Sequence, residues 1–331
     1  MTVAAVVLLV GGIATPVFAA QHGPRRRRPT KRRTTTTPRR DCQRAQPNVR
    51  RSSTAGGPLA SGSSWLSDFS TGNFGQWSWW GQGQQSIWGK IAVVKPECVG
   101  VPELIQGQPT IAQMTVTASG PAEGKVNAKL YKGFGTVDSS GTEHEPANVS
   151  GTYSAWYYIP SSYKIHGSQG SNIFQFKEAY GLPDGSSYSD PLWWVQLNSA
   201  SWAKKIGGAR WLGKRPTHPD QPVAFLNCWN NPWTRTVTLE AVPLNRWFQI
   251  SAALYQDDRI VYSIDGKPFD VALASYYPVS PFHPTGQEWI FGVGNYASAP
   301  ATTLYVGEAS YEANFSTPPI RFAKSAHVGK P

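Results

Sequence analysis

The sequence predicts an all-β protein, a two-sheet antiparallel sandwich of the jelly-roll kind, preceded by a disordered basic N-terminal tail. Three observations predict it. β-Branched and aromatic residues recur in short continuous or period-two runs, Gly, Pro, Asn and Ser punctuate them, and helical periodicity is nearly absent. Many short strands with turn signals between them, and no alternating helices, argue for packed antiparallel sheets rather than a parallel sheet covered by helices.

In chain order the predicted strands are Thr115–Ala118, Gly151–Ile159, Asn172–Glu178, Leu192–Leu197, Val223–Leu226, Thr234–Leu239, Trp247–Tyr255, Arg259–Ile264, Glu288–Val293 and Thr303–Tyr311. FQISAALYQ and RIVYSIDG, separated by Asp257 and Asp258, read as a hairpin, and Asp265-Gly266 closes its second strand with turn chemistry.

Charge divides the chain. Between Arg25 and Arg51 stand eleven arginines and Lys31 against one acid, Asp41, a net +11 that equals the charge of the whole chain. The rest is therefore close to neutral. The basic segment is rich in Arg, Thr, Pro and Gln and has almost no large apolar residues, so it cannot bury enough surface to offset its ordering entropy. It is expected to be disordered and to bind an anionic surface polymer, or to act as a solvated spacer. Specific nucleic-acid binding is not expected, because the part that follows shows no basic face and no nucleic-acid motif.

Ahead of the tail, Val3 to Val17 is an uncharged apolar run ending near the small residues Ala19 and Ala20, which reads as a signal peptide over residues 1–20. The basic residues that usually precede such a run are missing, so the true start is expected upstream or elsewhere. No stretch approaches the roughly twenty apolar residues of a membrane helix. The protein is expected to be secreted or associated with the cell surface. Residues 21–64 then form a basic and Gly/Ser-rich linker, 65–315 one β domain, and 316–331 a C-terminal tail. Of the three cysteines, Cys42 falls in the tail. Cys98 and Cys228 are therefore expected either to pair in an oxidising compartment or to be two buried free thiols. No Cys or His spacing fits a zinc site.

Several segments resemble a known family in their order: DFSTGNFGQWSWW (Asp68 to Trp80), GTYSAWYYIP (Gly151 to Pro160), NIFQFKE (Asn172 to Glu178), NRWFQISAAL, IDGKP and IFGVGNYAS. Over most of Trp65 to Asn314 the chain resembles the heparin-lyase-like and related polysaccharide lyases, members of the concanavalin-like lectin and glucanase jelly rolls. The resemblance implies a polysaccharide-active protein, a lyase that cleaves a uronate-containing glycan by β-elimination. Such chemistry needs groups that neutralise the carboxylate, a base, and an acid for the leaving oxygen. These lyases place a Gln and a basic residue on a strand like Ile173–Lys177, where alternation sends Gln175 and Lys177 to one face and Phe174 and Phe176 to the other. Tyr296 matches a position where they often carry a tyrosine. His166, in the loop before Ser171, is preferred over His144, which sits between Glu143 and Glu145. The resemblance requires no cofactor and allows a structural calcium ion without naming its ligands. The basic strand of many of these lyases, with an Arg and an acid, has its nearest counterpart in KVNAKLYKGF (Lys125 to Phe134), which offers only lysines.

A retaining glucanase would carry two carboxylates on one strand in a Glu-x-Asp-x-x-Glu pattern, which is absent. Glu308 and Glu312 share a face but stand roughly 13 Å apart along a strand, too far for double displacement. The alternative function is a lectin-like module without chemistry, anchored by the basic tail. Fourteen tryptophans include Trp77, Trp79, Trp80 and Trp88 near the start, Trp193 and Trp194, and Trp229 and Trp233. Exposed indoles stack on sugar faces. Trp194, Gln196 and Asn198 share one face of their strand and suit sugar recognition in either case; Trp156 and Tyr158 are further binding candidates.

Overall fold

The computed structural model describes residues 42, 64–77, 79–85, 89–116, 126–134, 150–165, 170–181, 187–203, 205–206, 209–228, 237–255, 259–273, 288–297 and 302–313. All belong to one compact unit, Asp41–Pro331. The predicted leader, most of the basic tail and linker, the C-terminal tail, Trp88, His144, His166, Trp229 and Trp233 lie outside the described residues.

The strands are β1 (Trp65–Ser67), β2 (Trp79–Gln85), β3 (Gly89–Val94), β4 (Ile111–Val116), β5 (Val126–Phe134), β6 (Gly151–Tyr158), β7 (Ser171–Gly181) and β8 (Ser187–Ser199). They continue as β9 (Arg210–Trp211), β10 (Pro222–Cys228), β11 (Thr238–Ala241), β12 (Trp247–Leu254), β13 (Arg259–Ile264), β14 (Lys267–Leu273), β15 (Glu288–Ala297) and β16 (Thr302–Glu312). Two single-turn helices, α1 (Pro96–Val99) and α2 (Ala200–Ala203), interrupt them. The first sheet runs β14-β13-β12-β6-β16-β4-β3, with β1 also paired to β16; the second runs β2-β5-β15-β7-β8-β10-β11-β9. Within these sheets β9 lies parallel to β11, and the other described pairings are antiparallel.

Period-two alternation makes this sandwich. On β12, Phe248, Ile250, Ala252 and Leu254 are buried while Trp247, Gln249, Ser251 and Ala253 are only partly so. The inward residues of both sheets meet in one cluster that includes Tyr153, Phe174, Phe176, Trp193, Phe248 and Phe291. Its rings meet edge to face: Tyr153 lies 5.0 Å from Phe176 at 78°, and Phe174 lies 5.0 Å from Phe291 at 62°. Each such pair contributes about 0.5–1.5 kcal/mol beyond its buried area, and the geometry also fixes the spacing of the sheets. Trp65 and Trp77 join this core, with ring centroids 4.8 Å apart.

The β12–β13 hairpin forms as expected, with Leu254 opposite Ile260. Asp265 and Gly266, at φ 49° and 73°, turn β13 into β14. Two successive left-handed residues match the twist of a tight hairpin, and Asp and Gly tolerate them best. The Asp265 carboxylate also accepts the Gln249 N–H at 2.9 Å and pairs with Arg246 at 2.8 Å.

The disulfide differs from the expected pairing. Cys98 bonds to Cys42, with Cα atoms 5.5 Å apart, and not to Cys228. The reason is topological: Cys98 lies in α1, just after β3 of the first sheet, whereas Cys228 ends β10 of the second. A bond across 56 residues restricts the unfolded chain, so Cys42→Ala is expected to lower stability by about 2–4 kcal/mol in urea denaturation. Peptide mapping under non-reducing conditions should recover the Cys42 and Cys98 peptides joined.

Candidate functional site

Alternation on the second sheet sends Leu130, Phe174, Phe176, Trp193, Val195, Phe291 and Val293 into the core. The residues between them face outward and are mostly polar. One row crosses five strands through direct register partners: Tyr131 (β5), Gly292 (β15), Gln175 (β7), Trp194 (β8) and Asn227 (β10). A neighbouring row runs Tyr296, Asn172, Gln196 and Phe225.

Gly292 and Gly294 shape this face. A β-carbon at Gly292 would stand 2.6 Å from the Tyr131 ring and 3.0 Å from Cγ of Gln175; one at Gly294 would meet Cγ of Lys129 and lie 2.5 Å from the Ala128 carbonyl oxygen. Both glycines therefore clear β15 so that Lys129 and Tyr131 of β5 can lean across it toward β7.

Lys129 is 2% exposed and Gln175 1% exposed, although both face away from the core. Lys129 Nζ donates to the Gln175 side-chain oxygen. With that oxygen turned to Lys129, the amide nitrogen faces the Tyr131 hydroxyl. The same oxygen accepts from Asn172 Nδ2 at 2.6 Å, and Gln175 Nε2 donates to the Tyr131 hydroxyl at 3.3 Å. Asn172 Oδ1 is left buried without a hydrogen-bond partner. Burial, reinforced by the nearby charge of Lys177, holds Lys129 well below the usual lysine range.

Lys177, Tyr296, Trp194, Gln196 and Asn227 lie above this buried layer and are half-buried. Nζ of Lys177 is 5.0 Å from the centroid of the Tyr131 ring, and Nζ of Lys129 is 5.1 Å from that of Tyr296. Burial raises the Tyr296 phenol above its ordinary range, so it is protonated at neutral pH. The Trp194 indole N–H donates to Gln196 Oε1 at 3.1 Å, and Asn227 Nδ2 donates to the same oxygen at 2.7 Å. Among the described side chains of this face there is no carboxylate, and no described group of His, Cys, Asp and Glu could hold a metal ion.

Of the residues singled out in the sequence, Gln175, Lys177, Tyr296, Trp194 and Gln196 therefore come together, with Gln175 underneath rather than at the surface. Asn198 is on the same strand but fully buried near the end of β8, where its side-chain oxygen accepts the Ser199 N–H. Trp156 and Tyr158 are not part of the face. They project from β6 on the outer side of the first sheet: Trp156 pairs in register with Gln249 and Glu308, and Tyr158 packs against Trp247 and Tyr305. Alternation gives the face of a strand but not its sheet. Glu308 and Glu312 also belong to the first sheet, where burial and the charges of Asp68 and Glu312 raise Glu308. Trp77 and Trp193 are core residues. Lys129 and Tyr131 fall in KVNAKLYKGF, noted in the sequence only as the counterpart of a basic strand, and Asn172 and Asn227 were not named as site residues.

No protein-family model matches the chain, and no curated protein matches it. Among solved structures it is similar to the endo-β-1,4-glucuronan lyase of the fungus Trichoderma reesei, at 13% identity and TM-score 0.43 over 72% of this chain and 92% of that one. It is also similar to an alginate lyase from Pseudomonas aeruginosa, at 14% identity and TM-score 0.35 over 60% and 81% of the two chains. A third is a variant of the alginate lyase Aly36B in complex with an alginate tetrasaccharide, at 8% identity and TM-score 0.42 over 77% and 98%.

Two outcomes test the layered arrangement. Gly292→Ala should cost about 1–3 kcal/mol in urea denaturation, because the Tyr131 ring must move. In the folded protein Lys129 loses its proton well below the unfolded value near 10.5, so between those two values the unfolded chain holds more protons and stability rises with pH. Lys129→Met should thus be more stable than the parent near neutral pH, with the advantage vanishing above about pH 10.5 in a pH series of urea melts.

Proposed function

We propose that the protein is a secreted polysaccharide lyase that cleaves a uronate-containing glycan by β-elimination on the outer face of the second sheet. One observation carries this reading: two lysines, a fixed glutamine amide and two tyrosines converge on one face with no described carboxylate among them. Elimination builds negative charge on the substrate carboxylate, which cations stabilise; glycoside hydrolysis would need a carboxylate pair. Lys177 takes the substrate carboxylate. Tyr296, protonated at neutral pH, donates to the departing glycosidic oxygen. Lys129, which burial keeps below the usual lysine range and whose Nζ lies 5.1 Å from the centroid of the Tyr296 ring, accepts the proton removed beside the carboxylate. Gln175 and Tyr131 position Lys129, and the Trp194 indole supplies a stacking surface for a neighbouring sugar. The reaction needs no cofactor. The signal peptide would send the chain out of the cell, and the Arg-rich segment would hold it on an anionic polymer.

The hydrogen-bonded set of Trp194, Gln196 and Asn227 favours a second reading, a lectin-like module that binds polysaccharide without cutting it. The two readings separate when the full chain is incubated with polyglucuronate, alginate, heparin, hyaluronan and pectin while unsaturated-uronate absorbance is followed. A lyase gives a rise on one polymer, and Tyr296→Phe should lower the rate about 10²–10⁴-fold. Retention on a polymer without any rise, lost in Trp194→Ala, would instead establish the binding module.

A further inference from the structure

The outer face of the second sheet changes character at β10. Toward β5 it is polar, as described above. Beyond Asn227 the outward residues are Val223 and Phe225 on β10 and Leu239 on β11, all fully buried with Ala200 and Ala203 in an apolar cluster separate from the main core. The chain that leaves β8 through α2 folds back over them. Trp202 of α2 stacks on Phe225, with ring centroids 5.7 Å apart and planes 24° from parallel. The segment then returns to the sheet at β9, where Trp211 lies beside Leu239 and packs on the same cluster.

This cover stands in line with the row that holds Tyr296. From Tyr296 the register runs through Asn172 and Gln196 to Phe225, the residue under Trp202. A sugar chain lying across the strands along this row, on the reading proposed above, meets an apolar wall at Phe225 of β10. Adjacent strands are about 4.8 Å apart, close to the length of one pyranose residue. Between Tyr296 on β15 and Phe225 on β10 lie two strand positions, Asn172 on β7 and Gln196 on β8.

We propose that α2 and β9 close one end of the substrate face and leave room for two sugar residues between Tyr296 and the wall. The protein then acts on chain ends and releases disaccharides, because a longer chain cannot pass Trp202 and Phe225.

This inference rests on the lyase reading, and one time course separates the two. Full-length protein is given polyglucuronate and, separately, alginate; products are sized by chromatography and solution viscosity is followed in parallel. Unsaturated disaccharide as the dominant product from the earliest samples, with viscosity falling slowly, supports a closed end. An early ladder of mixed oligomers with a rapid viscosity loss overturns the closed end and leaves the lyase reading standing. No unsaturated product on either polymer overturns both. Trp202→Ala, which lowers the wall, should shift the early products from disaccharide to longer oligomers. An unchanged disaccharide product from a variant that keeps the parent's circular dichroism would also overturn the assignment of the wall.

Discussion

At two positions on β15 a single methyl group would undo the polar face. With side chains at Gly292 and Gly294, Tyr131 and Lys129 could not cross toward β7, and the Gln175 amide would lose the donor that fixes its orientation. Glycine weakens a strand, because it gives up more backbone freedom on folding and packs nothing of its own. Here the neighbouring strands fill the space it leaves. The inward residues of the same strand, Phe291 and Val293, keep β15 anchored in the core.

The sandwich thus holds two interiors with opposite chemistry. Between the sheets, aromatic edges meet aromatic faces, and polar ring atoms such as the Tyr157 hydroxyl donate to nearby acceptors, here the Ile173 carbonyl oxygen. On the outer side of the second sheet, Lys129, Gln175 and Asn172 are nearly as buried, but each polar group there must find a partner or carry a desolvation cost of about 1–3 kcal/mol. The Lys129–Gln175–Asn172 contacts satisfy most of them, and the unpartnered Asn172 oxygen marks where the network stops. A buried amine so placed is kept from its usual charge by its surroundings, which is how protein interiors prepare proton-transfer groups.

Much of the sandwich was readable because strand patterning needs only local information. The runs at Gly151–Ile159, Trp247–Tyr255 and Thr303–Tyr311 became β6, β12 and β16 with small shifts at their ends. β5 was noted only as KVNAKLYKGF, the counterpart of a basic strand, and not among the predicted strands, because Lys129 and Lys132 sit where a buried strand normally carries apolar residues; both are almost fully buried, Lys132 with its ammonium 5.9 Å from the Trp65 ring. Trp156 and Tyr158, binding candidates in the sequence, stand on the first sheet, apart from Trp194 and Gln196; alternation cannot say which sheet a strand joins. Gln175, Lys177 and Trp194 were legible together because β7 and β8 are consecutive and pair directly. Asn227 and Tyr131 reach the same row only through pairings that no local pattern reports.

The bond between Cys42 and Cys98 also governs how the protein can be trimmed. Residues 1–41 reach the sandwich by two covalent routes, the backbone through residues 43–97 and the sulfur bridge. A protease that cuts the backbone anywhere between them leaves the arginine-rich piece attached. Shedding it takes two separate chemical events, a cut and a reduction, unless the cut falls on the N-terminal side of Cys42.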